Sequence, residues 1–132
     1  MEDVKINVKI KLSALWVTVL FVFAYVDIQS HMQPGVIEEF ITGEVAGFQI
    51  TETWLLGVTV MMTIPALMVF LSLVLKPKVN RWANIIVASL KIIVVISSNF
   101  IGVPWVYYLF GSVVEVILLS SIVWYAWKWP KQ

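Results

Sequence analysis

Cysteine is absent from this sequence, and histidine occurs once, as His31. Without cysteine the chain forms no disulfide, no thiolate metal site and no thiol redox centre. One histidine also excludes a haem held between two imidazoles of the same chain. No nucleotide-binding loop and no cluster of catalytic His, Cys and Asp residues is present. The sequence therefore identifies no cofactor, no metal site and no catalytic residue, and it favours a role other than catalysis.

Charge is also scarce, since charged residues make up 13% of the 132 residues. The 9 Lys and Arg residues nearly balance the 8 Asp and Glu residues, so the net charge gives no indication of a nucleic-acid partner. Hydrophobic residues reach 61%, which leaves too little polar surface to cover a water-soluble domain of this size. The composition predicts an integral membrane protein whose main contact is the lipid bilayer.

Four apolar stretches are each close to the roughly 20 residues that a helix needs to cross a bilayer. They cover about residues 12–30, 52–75, 82–103 and 105–127. The first lacks a small-residue cleavage site, so we interpret it as a retained span rather than a secretory signal. A tight turn around Gly102 and Pro104 separates the last two. We predict one domain over residues 1–132, an all-α four-helix transmembrane bundle.

The basic residues lie on one side of the predicted spans, with Lys91 as the exception. That side holds Lys5, Lys9, Lys11, Lys76, Lys78, Arg81, Lys128 and Lys131. The segment between the first two spans has no Lys or Arg and contains four glutamates. By the positive-inside rule, we predict a protein of the cell membrane with both termini in the cytoplasm. Tryptophans near both ends of the spans predict two interfacial belts, with Trp16 in the inner one.

The loop between the first two spans is predicted to lie outside the cell and to form a short amphipathic helix from Pro34 to Phe48. Its apolar residues and its glutamates fall on opposite helical faces. We interpret the helix as a connector on the membrane interface, with a gate or binding lid as the alternative.

Two charges lie deep within the predicted spans. Lys91 follows Trp82 by nine residues, and Glu115 follows Trp105 by ten. A rise of about 1.5 Å per residue places both near the bilayer midplane, approached from opposite faces. Because their helices are consecutive and antiparallel, we predict an ion pair between Lys91 and Glu115 that relieves the cost of burying either charge alone.

Polar and small residues extend from these charges along helical faces, with at least one contribution from every span. The predicted ligand or proton site consists of Asp27, Thr63, Lys91, Asn99, Tyr108 and Glu115. Such a site fits a polar pocket that handles a small solute or protons. The alternative is an accessory or structural subunit that packs against a larger membrane partner or forms a homo-oligomer, with Lys91 and Glu115 as a structural ion pair. An enzyme acting on lipid or quinone has the least support from the motifs.

Three blocks carry a resemblance to a known family. KLSALWV (11–17), KPKVNRWANIIVA (76–88) and WYAWKW (124–129) resemble recurrent blocks of an uncharacterised family of small prokaryotic four-span membrane proteins, broadly similar in appearance to DoxX-like proteins. The resemblance implies the four-helix architecture and carries no activity. It also singles out Asn80, expected to cap the third span, and Arg81, expected to anchor it at the inner interface. Ligand or partner recognition by this corner is the alternative.

Overall fold

The computed structural model describes residues 6–45, 47–100 and 105–129, and four long helices account for most of them. In chain order the elements are α1 (Val8–Ser30), α2 (Val36–Ile41), β1 (Glu44–Val45), β2 (Phe48–Gln49), α3 (Glu52–Val74), α4 (Pro77–Ser98) and α5 (Val106–Trp127). The two strands pair antiparallel in a small hairpin. The predicted turn around Gly102 and Pro104 lies outside the described residues.

The four long helices match the length and composition of membrane spans. Each has 22 or 23 residues, which corresponds to about 33 to 35 Å of helix. All four are apolar enough to cross a membrane. Large apolar side chains such as Phe70, Ile93 and Phe110 are exposed on the outside of the bundle. The all-α architecture predicted from composition is therefore confirmed.

Local sequence sets where the long helices begin. The side chain of Asn7 accepts the Lys9 amide at 2.8 Å, and the hydroxyl of Thr51 accepts the Trp54 amide at 3.1 Å. Each of these side chains satisfies one of the amides that a first turn leaves unpaired. Pro77 occupies the first turn of α4, where its fixed φ favours the helix and its missing N–H is not needed.

Side-chain hydrogen bonds show that the long helices alternate in direction. At one end, Ser13 near the start of α1 donates to the carbonyl of Val69 near the end of α3 at 2.7 Å. At the other end, Tyr108 near the start of α5 donates to Ser98 at the end of α4 at 2.8 Å. We call the first end the basic end, because it holds Lys9, Lys11, Lys76, Lys78, Arg81 and Lys128. The opposite, acidic end holds Asp27, Glu38, Glu39, Glu44 and Glu52.

Helix α5 packs against both α1 and α4, and α3 packs mainly against α1. The buried core combines Leu12, Trp16, Val19, Met68, Ala88, Leu119, Ile122 and Ala126. Gly111 allows the close approach of α5 to α1, because a Cβ at this position would lie 2.6 Å from Cγ2 of Val26. Contacts this short do not occur between real side chains, so the helices could not come together here with a larger residue.

Three predictions of local structure need correction. Helix α4 begins at Pro77 rather than near residue 82, because its first turn is polar and hydropathy does not reveal it. Lys76 occupies the N-cap position, so Asn80 lies inside the helix and does not cap it. The helix predicted from Pro34 to Phe48 covers only Val36–Ile41, after which the chain turns into the hairpin.

Glycine explains why the connecting helix is short. Gly43 and Gly47 have φ values of 85° and 83°, in the left-handed region that side chains with a Cβ rarely adopt. The chain reverses there, and Glu44 and Val45 pair with Gln49 and Phe48 instead of continuing the helix.

Candidate functional site

Lys91 and Glu115 are both buried in the interior of the bundle, with 6% and 4% of their surfaces exposed. Lys91 lies on the buried face of α4 with Asn84, Ala88 and Val95, and Glu115 lies on the buried face of α5. These faces follow the three- and four-residue spacing that brings residues onto one side of a helix. Both predicted charges are therefore in the interior of the bundle, away from its outer surface.

The predicted direct ion pair between Lys91 and Glu115 is not formed. Within residues 6–45, 47–100 and 105–129, the structure shows no contact between the Lys91 ammonium and the Glu115 carboxylate. The ammonium lies 4.6 Å from the centroid of the Phe23 ring, over its face. The depth of a residue in the bundle does not determine which neighbour a long lysine side chain reaches.

The Phe23 ring that the Lys91 ammonium contacts is one helical turn from Asp27 on α1. Oε2 of Glu115 is buried and accepts no hydrogen bond from any residue that the structure describes. A buried carboxylate oxygen without a hydrogen-bond partner is uncommon in folded proteins.

Asp27 differs from the other two charges because it is open to a cavity. It lies near the end of α1 and lines a space of about 800 Å³ at the acidic end of the bundle. All five helices contribute side chains to the wall, among them Glu39, Trp54, Ser98 and Tyr108. The cavity is large enough to hold a whole small molecule.

Asn99 and Tyr108 connect the ends of α4 and α5 beside this cavity. Nδ2 of Asn99 donates to Oγ of Ser112 at 3.0 Å, and the hydroxyl of Tyr108 donates to Oγ of Ser98 at 2.8 Å. Ser98 and Tyr108 both line the cavity. Of the six predicted site residues, Asp27 and Tyr108 line the cavity, Asn99 is hydrogen-bonded beside it, and Lys91 and Glu115 are buried in the bundle.

Thr63 is the predicted site residue that lies neither at the cavity nor in the interior of the bundle. It is exposed on α3, and its hydroxyl donates to the carbonyl of Thr59 in the same helix at 2.7 Å. Helix α3 is apolar around its whole circumference, so hydropathy gives no indication of which side faces inward. Thr59 and Thr63, which are four residues apart, lie on a side of α3 that faces away from the core.

A buried polar network at the basic end was missed. The indole Nε1 of Trp16 donates to Oδ1 of Asn84 at 2.7 Å, and Ser72 donates to the same oxygen at 3.2 Å. Nδ2 of Asn84 donates to Oδ1 of Asn80, and Nδ2 of Asn80 donates to the carbonyl of Ser72 at 2.7 Å. All four side chains are fully buried. The placement of Trp16 in an interfacial belt is wrong, because its ring belongs to this network in the core.

The network had a sequence signal in the spacing of Asn80, Asn84 and Ala88, which places both asparagines on the face that continues to Lys91. Arg81, on the neighbouring face, donates to the carbonyls of Ala126 and Trp127 at 3.1 and 3.3 Å. It satisfies carbonyls that the end of α5 leaves unpaired. The basic end is therefore closed by hydrogen bonds, whereas the acidic end contains the cavity.

Residues 3–132 match a family of unknown function, DUF6326, and the chain belongs to this family. The resemblance of its sequence blocks to an uncharacterised family agrees with this membership, while the similarity to DoxX-like proteins stays a prediction. No curated protein and no solved structure matches the chain.

Proposed function

We propose that this protein is an integral membrane protein of four spans whose polar interior binds and passes a small solute or protons. The observation that carries the proposal is the Oε2 of Glu115, which is buried in the bundle and has no hydrogen-bond partner among the described residues. Charge in the apolar interior is costly unless it is paired. A carboxylate that has no hydrogen-bond partner there is suited to take up a proton or to receive a ligand.

The exterior of the bundle supports its placement in a bilayer. Side chains such as Leu67 and Phe70 on α3 and Phe110 and Ile117 on α5 are between 51% and 72% exposed. Exposed apolar surface of this extent is typical of contact with lipid. The separation of basic and acidic ends supports an orientation with the basic end, and both termini, in the cytoplasm.

A flux measurement tests the role of Glu115. The wild-type chain is reconstituted in lipid vesicles that contain a pH-sensitive dye, and proton flux is recorded after an imposed pH gradient. We expect Glu115→Gln to lose most of the proton flux that the wild type shows above the flux of empty vesicles. The amide keeps the shape of the side chain but cannot exchange a proton in the pH range of the measurement.

The matched control is Glu38→Gln, since Glu38 is an exposed acid of α2 that does not line the cavity. It should retain the wild-type flux. Equal flux in the wild type, in a normally folded Glu115→Gln variant and in empty vesicles would contradict a proton-handling role for Glu115.

The exposed side of α3 favours a second candidate, a subunit that packs against another membrane protein or a second copy of itself. Thr59 and Thr63 are exposed there, four residues apart on the same helical face. Small residues and hydroxyls let helices approach closely in lipid. The natural absence of cysteine allows a clean test. Oxidation of Thr63→Cys should give disulfide dimers if two copies meet at this side, whereas Ile93→Cys on α4 should not.

A further inference from the structure

The charges around the cavity are of one sign. Between Lys11 and Lys76 the chain contains no Lys or Arg, but it contains Asp27 and four glutamates, which lie at the acidic end. Two of these acids, Asp27 and Glu39, line the cavity, and none of its described lining residues is Lys or Arg. A cleft lined by one sign of charge between apolar walls concentrates ions of the opposite sign.

The walls of the cavity are rich in aromatic rings. Phe40, Trp54, Trp105 and Tyr108 line it, together with apolar residues such as Val58. Aromatic faces attract cations, most strongly for Trp, and they also provide apolar surface for an organic substituent. The protein already uses this interaction in its own interior, where the Lys91 ammonium lies over the Phe23 ring at 4.6 Å.

We propose that this cavity binds an organic cation with an apolar body, with Asp27 as its counter-ion and the aromatic rings as its walls. The proposal rests on the proposed function, because it names the class of solute that the pocket takes. The volume of about 800 Å³ accommodates a quaternary ammonium ion with an aromatic or branched substituent.

The position of Lys91 gives the binding site an internal competitor. Its ammonium lies over the ring of Phe23, which is one helical turn from Asp27 on α1. A cation that binds against Asp27 repels the Lys91 ammonium. It also neutralises the Asp27 carboxylate, which then attracts the ammonium less strongly. Lys91 then has Glu115 as its remaining partner, and Oε2 of Glu115 is the buried oxygen that has none in this structure.

Three probes of similar shape and different charge test the class of ligand. They are benzyltrimethylammonium, the neutral benzyldimethylamine N-oxide and the anion phenylmethanesulfonate. Binding of each to the purified chain in lipid nanodiscs is measured by calorimetry at pH 7.5. We expect the cation to bind at least about tenfold more tightly than the N-oxide, and the sulfonate to bind least.

Two variants assign the binding to the cavity. Asp27→Asn should weaken binding of the cation about tenfold and leave binding of the N-oxide nearly unchanged, which also reports that the variant is folded. Lys91→Met should strengthen binding of the cation, because it removes the competing ammonium, whereas a site for anions would lose affinity. Glu38→Gln, an exposed acid outside the cavity, serves as the control and should behave as the wild type.

The outcomes separate this inference from the proposed function. If the N-oxide or the sulfonate binds as tightly as the cation, or if Asp27→Asn leaves cation binding unchanged, the assignment to cations is overturned while a solute pocket stands. If no probe binds, the cation site is also overturned. The proton flux of Glu115→Gln then decides independently whether the proposed function stands.

Discussion

The indole of Trp16 and the amide of Asn84 are joined by a hydrogen bond of 2.7 Å, although 68 residues separate them in the chain. Both side chains are fully buried. The bond connects the start of α1 to the start of α4, and Ser72 brings the end of α3 to the same amide oxygen. Three of the four long helices are therefore held together by one asparagine.

The first prediction concerns this amide. Asn84→Leu has a similar volume but removes the acceptor of Trp16 and the donor to Asn80, leaving buried polar groups without partners. We expect a loss of stability of about 1 to 3 kcal/mol for each group left unpaired. Unfolding in detergent measures it. Ser89→Leu, at a half-buried position of the same helix, is the control. A variant as stable as the wild type would show that the network does not hold the helices.

The second prediction concerns the contact of α5 with α1. Gly111→Ala places a Cβ 2.6 Å from Cγ2 of Val26, and the β-branched valine has little freedom to move away. We expect a loss of about 1 to 3 kcal/mol in detergent unfolding. Adding Val26→Ala should recover part of it. Gly57→Ala is the matched control, because nothing lies within 4 Å of a Cβ there, and it should be neutral or slightly stabilising.

The third prediction concerns the coupling of Lys91 with Glu115. Both are buried charges on helices that pack against each other, α4 and α5, so we expect Lys91→Met and Glu115→Gln to be non-additive by about 0.5 to 3 kcal/mol, with the double variant more stable than the sum implies. A double-mutant cycle of unfolding free energies measures it. The pair Lys128 and Glu38, from opposite ends of the bundle, should show additivity. Additive losses for Lys91 and Glu115 would contradict their coupling.

The fourth prediction concerns Arg81, which donates to the last carbonyls of α5 and lies 5.2 Å from the Trp127 ring. Arg81→Lys keeps the charge but loses the forked donors and the stacking. We expect faster amide hydrogen exchange in the last turn of α5 and little change at its start. Lys78→Met, an exposed neighbour on α4, should leave the exchange unchanged. Unchanged protection in Arg81→Lys would show that the arginine does not stabilise this terminus.

The fifth prediction concerns orientation. Because the described bases other than Lys91 lie at one end of the bundle, we expect reporter fusions at both termini to give a cytoplasmic signal. An outside signal from the C-terminus in an appreciable fraction of molecules would contradict a single orientation.

The sequence was sufficient to locate the four long helices and the inward faces of α4 and α5. Lys91 and Glu115 interrupt apolar stretches, and the cost of burying charge leaves them few positions other than the interior. Helix α3 was different, because it offers no charge inside the span and is apolar on every side. Its rotation depends on packing against α1, which a single sequence does not encode in its periodicity.

Periodicity also does not predict which partners individual side chains contact. Spacing predicts the face and the depth of Lys91, but its ammonium has several bonds of freedom and reaches Phe23 rather than Glu115. Tryptophan is typical of membrane interfaces, and the sequence therefore predicts an interfacial position for Trp16. Its indole N–H is buried in the core because Asn84, across the bundle, accepts its hydrogen bond. Both differences arise from contacts between residues that are distant in the chain.

The bond between Trp16 and Asn84 has a consequence for biosynthesis. A ribosome must have made the chain beyond Asn84 before the indole N–H of Trp16 finds its acceptor, although Trp16 itself is made early. Until then the nascent chain carries unsatisfied polar groups in the segments that will become its core. The contact of α1 and α3 with α4 at the basic end can therefore form only after the start of α4 has been made.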